Sequence, residues 1–518
     1  MSLKPYFAAS VVAMSATGAF AQETLPQASS EWFTAAQETI QEAMERQPNT
    51  NRALNVILMI SDGNGVGTNY ASRLFQGQQE GGFGDDYVQS FEAFPSLGLI
   101  KTYNVNAQTP DSAGTGTAMM AGIKTKAGVI GANENVTRGD CATLEGNTVT
   151  PITKVAADMG KAAGVISTAR ITHATPASGY AQTVDRNFEA TVPEGCESQV
   201  DIAQQLIDAM EVGTIHVAMG GGMRNFHADE GGRREDGQNL IEIAQNELGA
   251  QFASDMASFE AVDLESGDPI LGLFEDSHMM YEADREDEPS LAEMTGAAIT
   301  ALQAAGGENG FFLQVEAGRV DHANHGGNLA RVVRDQQAFA EAVAMADEMT
   351  EDADTLIVVT ADHEHAIAFN GYCGRGSDIL GLCMGIDGAG IEHTGEPNTA
   401  EDGLPYTVAG YLNGAGSILV PEQTGEEDTS ATNPDVETGE ADGEVPSFSG
   451  SRPELTQEEA TDIDYLQQAL IPLSSETHSG EDVAVYAKGP WAHLFDGTME
   501  QNVIFHVMNH AFTAGDDQ

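Results

Sequence analysis

Six short apolar runs in the chain stop abruptly at polar residues or glycine, the pattern of strands buried on both faces of a sheet. These runs are 55–60, 164–166, 214–219, 310–315, 355–359 and 483–487. Segments with helical periodicity lie between them, at 115–123, 198–210, 291–305 and 329–349. Strands that alternate with helices predict an α/β fold with a doubly wound, mostly parallel central sheet flanked by helices. Ligands of such sheets bind beyond the carboxyl ends of the strands.

One long segment, 371–477, interrupts this alternation. It is rich in Gly, Asp, Glu, Ser, Thr and Pro, above all at 421–453, and only 406–412 and 417–420 predict short strands within it. We interpret it as an irregular surface insertion. The predicted organisation is a leader at 1–21, an N-terminal helical arm at 22–54, the main α/β domain at 55–370, the insertion at 371–477, and the end of the α/β domain at 478–518.

The first residues resemble a secretory signal peptide. Lys4 precedes the mostly small and apolar stretch 6–16, and Ala19-Phe20-Ala21 fits a small-x-small cleavage site. A buried N-terminal helix is the alternative, but Thr17-Gly18 and the abrupt change to polar residues disfavour it. We expect cleavage after Ala21 and a periplasmic or secreted protein. No apolar run reaches the roughly 18 residues that span a membrane.

The chain has four cysteines, Cys141, Cys196, Cys373 and Cys383. None forms a CxxC pair or lies beside a histidine at zinc-ligand spacing, so a thiolate metal site is not expected. In an oxidising compartment four cysteines allow three disulfide pairings. Proximity along the chain favours Cys141–Cys196 and Cys373–Cys383.

The balance of charge is strongly acidic, with 80 Asp and Glu against 22 Lys and Arg and a formal net charge of −58. Nucleic acid and anionic membranes are therefore excluded as stable partners. We interpret the acids as a solvated surface of a protein from a salt-adapted organism. At ~1 M salt the Debye length falls to about 3 Å, which screens the self-repulsion of such a surface.

Three of the apolar runs lead directly into side chains of the kind that bind metals. Acids are so abundant in this chain that many lie near a histidine by chance. A position at the end of a strand is therefore a better criterion for a metal ligand than proximity to histidine. Asp321 and His325 are four residues apart and would share one face of a helical turn. A carboxylate oxygen and an imidazole are zinc-type ligands. The side chains at these strand ends are Asp62, Glu316, Asp321, His325, Asp362 and His363.

Ser112 stands at the predicted start of a helix, after Pro110 and Asp111. At a helix N-terminus the backbone N–H groups and the dipole favour a bound anion. A serine hydroxyl becomes a good nucleophile only when a base or a metal activates it. Considered alone, Ser112 is better interpreted as an ordinary helix cap than as a nucleophile.

As a set, these motifs resemble those of alkaline phosphatases. The resemblance runs in the same order from about residue 55 to 505 and is weakest across the insertion. Arg186, thirteen residues after His173, adds to it. The segments that carry it are Asp-Gly-Asn-Gly at 62–65, Asp-Ser-Ala at 111–113, Ile-Thr-His-Ala-Thr-Pro-Ala at 171–177, 315–325, Thr-Ala-Asp-His at 360–363 and 476–483.

The resemblance implies two zinc ions and one magnesium ion. The first zinc site would comprise Asp321, His325 and His478. The second would comprise Asp62, Asp362 and His363, with Ser112 as a nearby oxygen ligand. The magnesium site would comprise Asp62, Thr175 and Glu316, with His173 acting on it through water. Arg186 would bind phosphate oxygens in a bidentate manner.

The implied activity is hydrolysis of phosphate monoesters through a phosphoserine on Ser112, and members of the family are commonly homodimers. A phosphodiesterase, sulfatase or phosphomutase of the same fold is one alternative, and a non-catalytic acidic binding protein is another. Ala113-Gly114-Thr115 lacks the Pro and Arg that follow a sulfatase nucleophile. Arg186 favours monoesters because it would engage oxygens that a diester has substituted.

Overall fold

The computed structural model describes residues 25–388, 390, 393–421 and 448–515. The predicted signal peptide at 1–21 and most of the acidic stretch 421–453 lie outside these residues. The chain divides into two compact units, Met1–Pro48 and Asn49–Gln518. In the first unit a helix at Glu31–Glu45 follows a 3-10 turn at Pro26–Ser29, and none of the helix residues is buried.

Helices and strands alternate through the second unit. The helices of the described chain, counting that of the first unit as α1, are α1 (Glu31–Glu45), α2 (Val66–Gln79), α3 (Ser112–Ala121), α4 (Ile152–Asp158), α5 (Ala174–Ala177), α6 (Ile202–Glu211), α7 (Leu240–Asn246), α8 (Met256–Glu260), α9 (Leu291–Gly306), α10 (Arg319–His325), α11 (Leu329–Glu348), α12 (Gln457–Ala460) and α13 (Val503–Thr513). The strands are β1 (Asn55–Ser61), β2 (Ser96–Lys101), β3 (Ala162–Arg170), β4 (Val217–Gly221), β5 (Gln251–Ala253), β6 (Ile270–Leu273), β7 (Phe311–Ala317), β8 (Thr355–Ala361), β9 (Glu364–His365), β10 (Ile367–Phe369), β11 (Met384–Ile386), β12 (His393–Pro397), β13 (Ala409–Gly414), β14 (Val420–Pro421), β15 (Phe448–Ser449), β16 (Ala469–Pro472), β17 (His478–Ser479), β18 (Val483–Lys488) and β19 (Gly497–Glu500).

A ten-stranded sheet in the order β19-β2-β18-β8-β1-β7-β3-β4-β6-β5 forms the centre of the second unit. Its strand pairs are parallel except where β18 lies antiparallel to β2 and β8. Along β1, Val56 and Leu58 belong to one apolar core, which includes residues of α3, α6 and α13. Ile57 and Met59 belong to another, which includes residues of α2, α9 and α11. The predicted α/β architecture is confirmed.

All six predicted apolar runs lie wholly or partly in strands of this sheet: β1, β3, β4, β7, β8 and β18. The four predicted helices correspond to α3, α6, α9 and α11. Strand β2 was not predicted because it has no continuous apolar run. Its Leu97 and Leu99 are exposed while Gly98 and Ile100 are buried, as expected of a strand with one open face.

The insertion at 371–477 contains only short elements where it is described. Within it, β13 and β16 form a three-stranded sheet with β10, which precedes the insertion, and β11 pairs with β12. The predicted strand 406–412 begins later, at Ala409, and of 417–420 only Val420 is in a strand.

Both favoured disulfides, Cys141–Cys196 and Cys373–Cys383, are present. Among the described residues, no helix combines the length and apolar character that crossing a bilayer requires.

Candidate active site

The carboxyl ends of β1, β7 and β8 lie side by side at one edge of the sheet. Ser61, the last residue of β1, is in register with Ala317 of β7 and Ala361 of β8. Asp62 and Asp362 follow these positions directly, and the backbone N–H of Gly63 donates to Oδ1 of Asp362 at 3.0 Å. The three strand ends singled out in the sequence therefore converge at one place.

Asp62, Asp362 and His363 form a fully buried group at this edge. Nε2 of His363 lies 3.3 Å from Oδ1 of Asp62 and 3.4 Å from Oδ2 of Asp362. The other ring nitrogen, Nδ1, faces the carbonyl oxygen of Glu364 at 3.3 Å. Burial lowers the pKa of His363 well below its ordinary value, so the ring is neutral. With its proton on Nδ1, Nε2 directs a lone pair at carboxylate oxygens, an arrangement that a cation stabilises.

The Asp62 carboxylate is the clearest sign of an ion. Its burial, and then the neighbouring Asp362, Asp321 and Glu316, raise the pKa of Asp62 well above its usual range. Within the described residues neither of its oxygens has a hydrogen-bond partner. A buried acid in this state is costly unless it is protonated or coordinates a metal.

Asp321, His325 and His478 form a second group, although 153 residues separate the two histidines. Oδ1 of Asp321 lies 3.5 Å from Nε2 of His325 and 3.3 Å from Nε2 of His478. Burial lowers the pKa of His325. The predicted shared face of Asp321 and His325 is confirmed, since both lie on α10.

The tautomers of these two histidines are set by backbone carbonyls. Nδ1 of His325 donates to the carbonyl oxygen of Glu476 at 2.6 Å, and Nδ1 of His478 donates to that of Pro110 at 2.9 Å. Both Nε2 atoms then face one another at 3.1 Å. With the Nδ1 protons directed at these carbonyls, the two Nε2 atoms and the Asp321 carboxylate form a donor set that fits a zinc-type ion.

A third, oxygen-rich group consists of Asp62, Glu316 and Thr175, with His173 beside it. Metal-ligating atoms of Asp62, Glu316 and His173 lie within 4.8 Å of one another. Across the part of the chain that the structure describes, Oγ1 of Thr175, Oε1 of Glu316 and Nδ1 of His173 have no hydrogen-bond partner. Burial raises the pKa of Glu316. Oxygen ligands with one imidazole nearby fit a hard cation such as magnesium.

Ser112 is the first residue of α3 and is 2% exposed. Its Oγ lies 3.4 Å from Nε2 of His363. Asp111 is the residue that caps this helix, because its side chain accepts from the N–H of Gly114 at 3.1 Å. Ser112 is therefore not an ordinary cap, and its hydroxyl points toward the metal-type side chains.

Arg186 is held beside Ser112 by contacts on two sides. Its NH1 group donates to Oδ2 of Asp111 at 3.0 Å, and its NH2 group lies 3.0 Å from Nε2 of His173. Burial opposes the charged form of the Asp111 carboxyl, but Arg186 and two backbone N–H groups hold its pKa below the usual range. Burial lowers the pKa of His173 well below its ordinary value, so this ring accepts the hydrogen bond.

The site contains two residues that the sequence analysis did not select, His365 and Glu476. Nε2 of His365 lies 2.8 Å from Oδ1 of Asp321, and Nδ1 lies 2.5 Å from Oε2 of Glu476. The sequence does contain an indication of both residues, because His365 is two residues after the predicted ligand His363 and Glu476 is two residues before the predicted ligand His478. In an extended segment such residues point to the same side.

His278 also lies near the site, although none of the sequence motifs includes it. Its ring centroid is 4.0 Å from that of His322 and 5.5 Å from that of His173. Its Nδ1 accepts from the backbone N–H of Arg170 at 3.2 Å. Nothing in the local sequence indicates this position, which depends on the packing of a distant loop.

Comparison with known proteins agrees with this geometry. The alkaline phosphatase family model matches residues 53–514. Alkaline phosphatase of Gadus morhua is 36% identical over 96% of this chain and 99% of its own length, and the tissue-nonspecific isozyme of Gallus gallus is 36% identical over 93% and 89%. The solved alkaline phosphatase of Thermus thermophilus, 21% identical, superposes with a TM-score of 0.61 over 91% of this chain and 94% of its own. The chain therefore belongs to the alkaline phosphatase family and is a phosphomonoesterase.

Proposed function

We propose that the chain hydrolyses phosphate monoesters through a phosphoserine on Ser112. The observation that carries this proposal is the position of the Ser112 hydroxyl, buried at a helix N-terminus and 3.4 Å from His363. Around it converge buried carboxylates and imidazoles, and within the described residues both oxygens of Asp62 and Oε1 of Glu316 have no hydrogen-bond partner. No ordinary structural role accounts for that convergence.

We assign two zinc ions and one magnesium ion to the three groups of ligands. Asp321, His325 and His478 would hold the first zinc ion. Asp62, Asp362 and His363 would hold the second, with Ser112 as a nearby oxygen ligand. Asp62, Thr175 and Glu316 would hold magnesium, with His173 reaching it through water. When bound, the ions supply positive charge that lowers the pKa of the Ser112 hydroxyl and offsets the charge on the transferring phosphoryl group.

The protein itself positions the phosphoryl group. Ser112 begins α3, so the phosphate lies at the positive end of the helix dipole. Arg186 is fixed by Asp111 on one side and His173 on the other, so its guanidinium is oriented before substrate binds. Such preorganisation lowers the entropic cost of reaching the reactive geometry.

The reaction proceeds in two displacements. Oγ of Ser112 loses its proton and bonds to phosphorus while the bond from phosphorus to the alkoxy oxygen breaks, and the alcohol leaves protonated. Water then attacks the phosphoserine, the Oγ–P bond breaks, and inorganic phosphate leaves with Ser112 restored. Dividing the transfer in this way replaces one difficult step by two easier ones.

The location and assembly of the enzyme follow from other features. The sequence at 1–21 supports export to the periplasm or the medium, with cleavage after Ala21. The charge of −58 supports adaptation to high salt. Exposed apolar side chains on β2 and β16, among them Leu97, Leu470 and Ile471, support a homodimer.

Trapping the intermediate tests the proposal. Wild-type protein loaded with zinc and magnesium is incubated with a chromogenic monoester and quenched in acid. After digestion, the mass of the peptide that contains residue 112 is measured by mass spectrometry. We expect the mass of one added phosphoryl group on Ser112. The Ser112→Ala variant should lose both the label and turnover, whereas Ser72→Ala, which changes a buried serine of α2, should keep both. Turnover without label at Ser112 would overturn the assignment.

A further inference from the structure

Glu476 is an acidic residue in an unusual position. In a chain with 80 acids its side chain is fully buried, and the whole residue is 1% exposed. A buried carboxylate is costly unless each oxygen is hydrogen-bonded. Oε1 accepts from the backbone N–H of Ala366 at 2.7 Å, and Oε2 from Nδ1 of His365 at 2.5 Å. Both oxygens are thus satisfied by one short segment, β9 and the residue after it.

The side chain of Glu476 acts on Asp321 through His365. Because Nδ1 of His365 is directed at Glu476, its Nε2 is directed at Oδ1 of Asp321 at 2.8 Å. The three side chains form a line of hydrogen bonds, and all of them are buried. A hydrogen-bonded partner behind a ligating carboxylate fixes its orientation and leaves its other lone pairs for the ion.

The backbone of Glu476 acts on His325 at the same time. Its carbonyl oxygen accepts from Nδ1 of His325 at 2.6 Å, and its N–H donates to the carbonyl oxygen of His325 at 3.0 Å. The first of these bonds sets the tautomer of His325, and the second fixes the end of α10. His478, the remaining ligand of this group, lies only two residues along the chain.

We propose that Glu476 is the positioning residue of the first zinc site, holding Asp321 through His365 and directing Nε2 of His325 toward the ion. This inference rests on the proposed function, because it gives Glu476 a task only if zinc binds there. We do not count Glu476 among the ligands, because both of its carboxylate oxygens already accept from N–H groups of 365 and 366, whereas Asp321 has one such partner among the described residues.

The competing arrangement is a site in which Glu476 and His365 are themselves ligands. Metal-ligating atoms of His325, His365 and Glu476 lie within 4.8 Å of one another, which is close enough for them to share one metal ion. An ion there would have to replace the short bonds that Nδ1 of His365 and Nδ1 of His325 make to Glu476. The geometry points to support of the ligands instead.

Glu476→Gln separates the two arrangements. The amide keeps the size of the side chain but has a single oxygen for the two N–H donors, so one bond is lost. Stripped protein is titrated with zinc against a chelator at fixed magnesium. We expect one of the two zinc ions to bind about 10- to 100-fold more weakly and the other to bind unchanged. Excess zinc should then restore turnover, which a merely structural defect would not allow.

The control is Asp335→Asn, which also removes a buried acid with a backbone partner, the N–H of Glu282, but lies on α11, which carries none of the proposed zinc ligands. It should bind both zinc ions like the wild type. If Glu476→Gln does not fold, His365→Ala breaks the same line of bonds and should weaken the same ion.

Two results would overturn the inference. Unchanged affinity for both ions in Glu476→Gln and His365→Ala would show that neither residue supports the site. Complete loss of one ion at saturating zinc would make Glu476 a ligand. A wild-type protein that binds no zinc would instead contradict the proposed function, so the two failures are distinguishable.

Discussion

The Nε2 atoms of His325 and His478 lie 3.1 Å apart, and the Nδ1 atom of each ring donates to a backbone carbonyl. The folded protein therefore brings two lone pairs together before any ion is bound. An ion between them would replace repulsion by two bonds, so we expect ion binding and folding to be coupled at this site.

Removal of zinc should consequently destabilise the fold. An ion that binds only the folded state at 100 times its Kd adds about 2.7 kcal/mol to the free energy of unfolding. We expect urea unfolding of the stripped protein to shift to higher urea on adding zinc. His478→Asn should lose part of this gain, whereas His393→Asn, an exposed histidine of the insertion, should keep all of it. Equal zinc responses of both variants would contradict the assignment.

Arg186→Lys should reduce kcat/KM by about 10- to 100-fold, because one charge-assisted hydrogen bond of about 1.5–3 kcal/mol is lost with the planar guanidinium. Inhibition by inorganic phosphate should weaken by a similar factor. The matched control is Arg138→Lys, which changes an arginine paired with Asp185, next to Arg186 in the chain. Initial rates across substrate and phosphate concentrations measure both effects. A phosphate affinity equal to that of the wild type would remove Arg186 from the substrate site.

Lys161 should make the protein more stable as pH rises above about 8. Burial, and then the nearby Arg52, lower the pKa of Lys161 to about 8 in the folded chain, against about 10.4 when unfolded. Between these values the unfolded state binds more protons, so the free energy of unfolding increases with pH. The gain is absent below pH 8 and complete above the unfolded pKa.

Urea unfolding at several pH values in this window, with Lys161→Met beside the wild type, measures this contribution. The variant should show a smaller increase with pH. Lys154→Met, which changes a half-exposed lysine paired with Asp158, is the control and should follow the wild type. Parallel curves for Lys161→Met and the wild type would show that this lysine does not respond to pH as expected.

Substrate association should weaken as salt is removed. The three proposed ions, once bound, would make the site locally positive together with Arg186, but the net charge of −58 repels a monoester dianion at long range when screening is lost. We expect kcat/KM of the metal-saturated, folded enzyme to fall several-fold on desalting. A monoester with a cationic leaving group should show a smaller decrease. A steady rise on desalting for both substrates would show that the surface charge does not govern association.

The sequence predicted the centre of the fold better than its edges. Strands such as β1, β7 and β8 are buried on both faces, so their composition alone marks them. β2 has alternating exposed and buried positions, and β5 has only three residues, so neither produced a clear pattern. The positions of β2 and β5 in the sheet depend on pairing with other strands of the chain, and the local sequence does not indicate that pairing.

The same division applies to the candidate site. Asp62 and Asp362 follow long apolar strands, so their convergence could be inferred from the fold class. His365 and Glu476 were not selected because their importance lies in a contact between segments 111 residues apart. His278 likewise reaches His173 and His322 only through the folding of a loop.

The antiparallel pair of two-residue strands β9 and β17 holds together the two ends of the segment 366–477. His478 pairs with His365 and Ser479 with Glu364, so the chain leaves the site and returns to it at the same point. The entropy of closing a loop grows only slowly with its length. Surface loops of the intervening segment can therefore change in length while the ligands on either side stay in place. Glu476, Val408 and Ala409 have to be kept in any such change, because they contact the site or the apolar core.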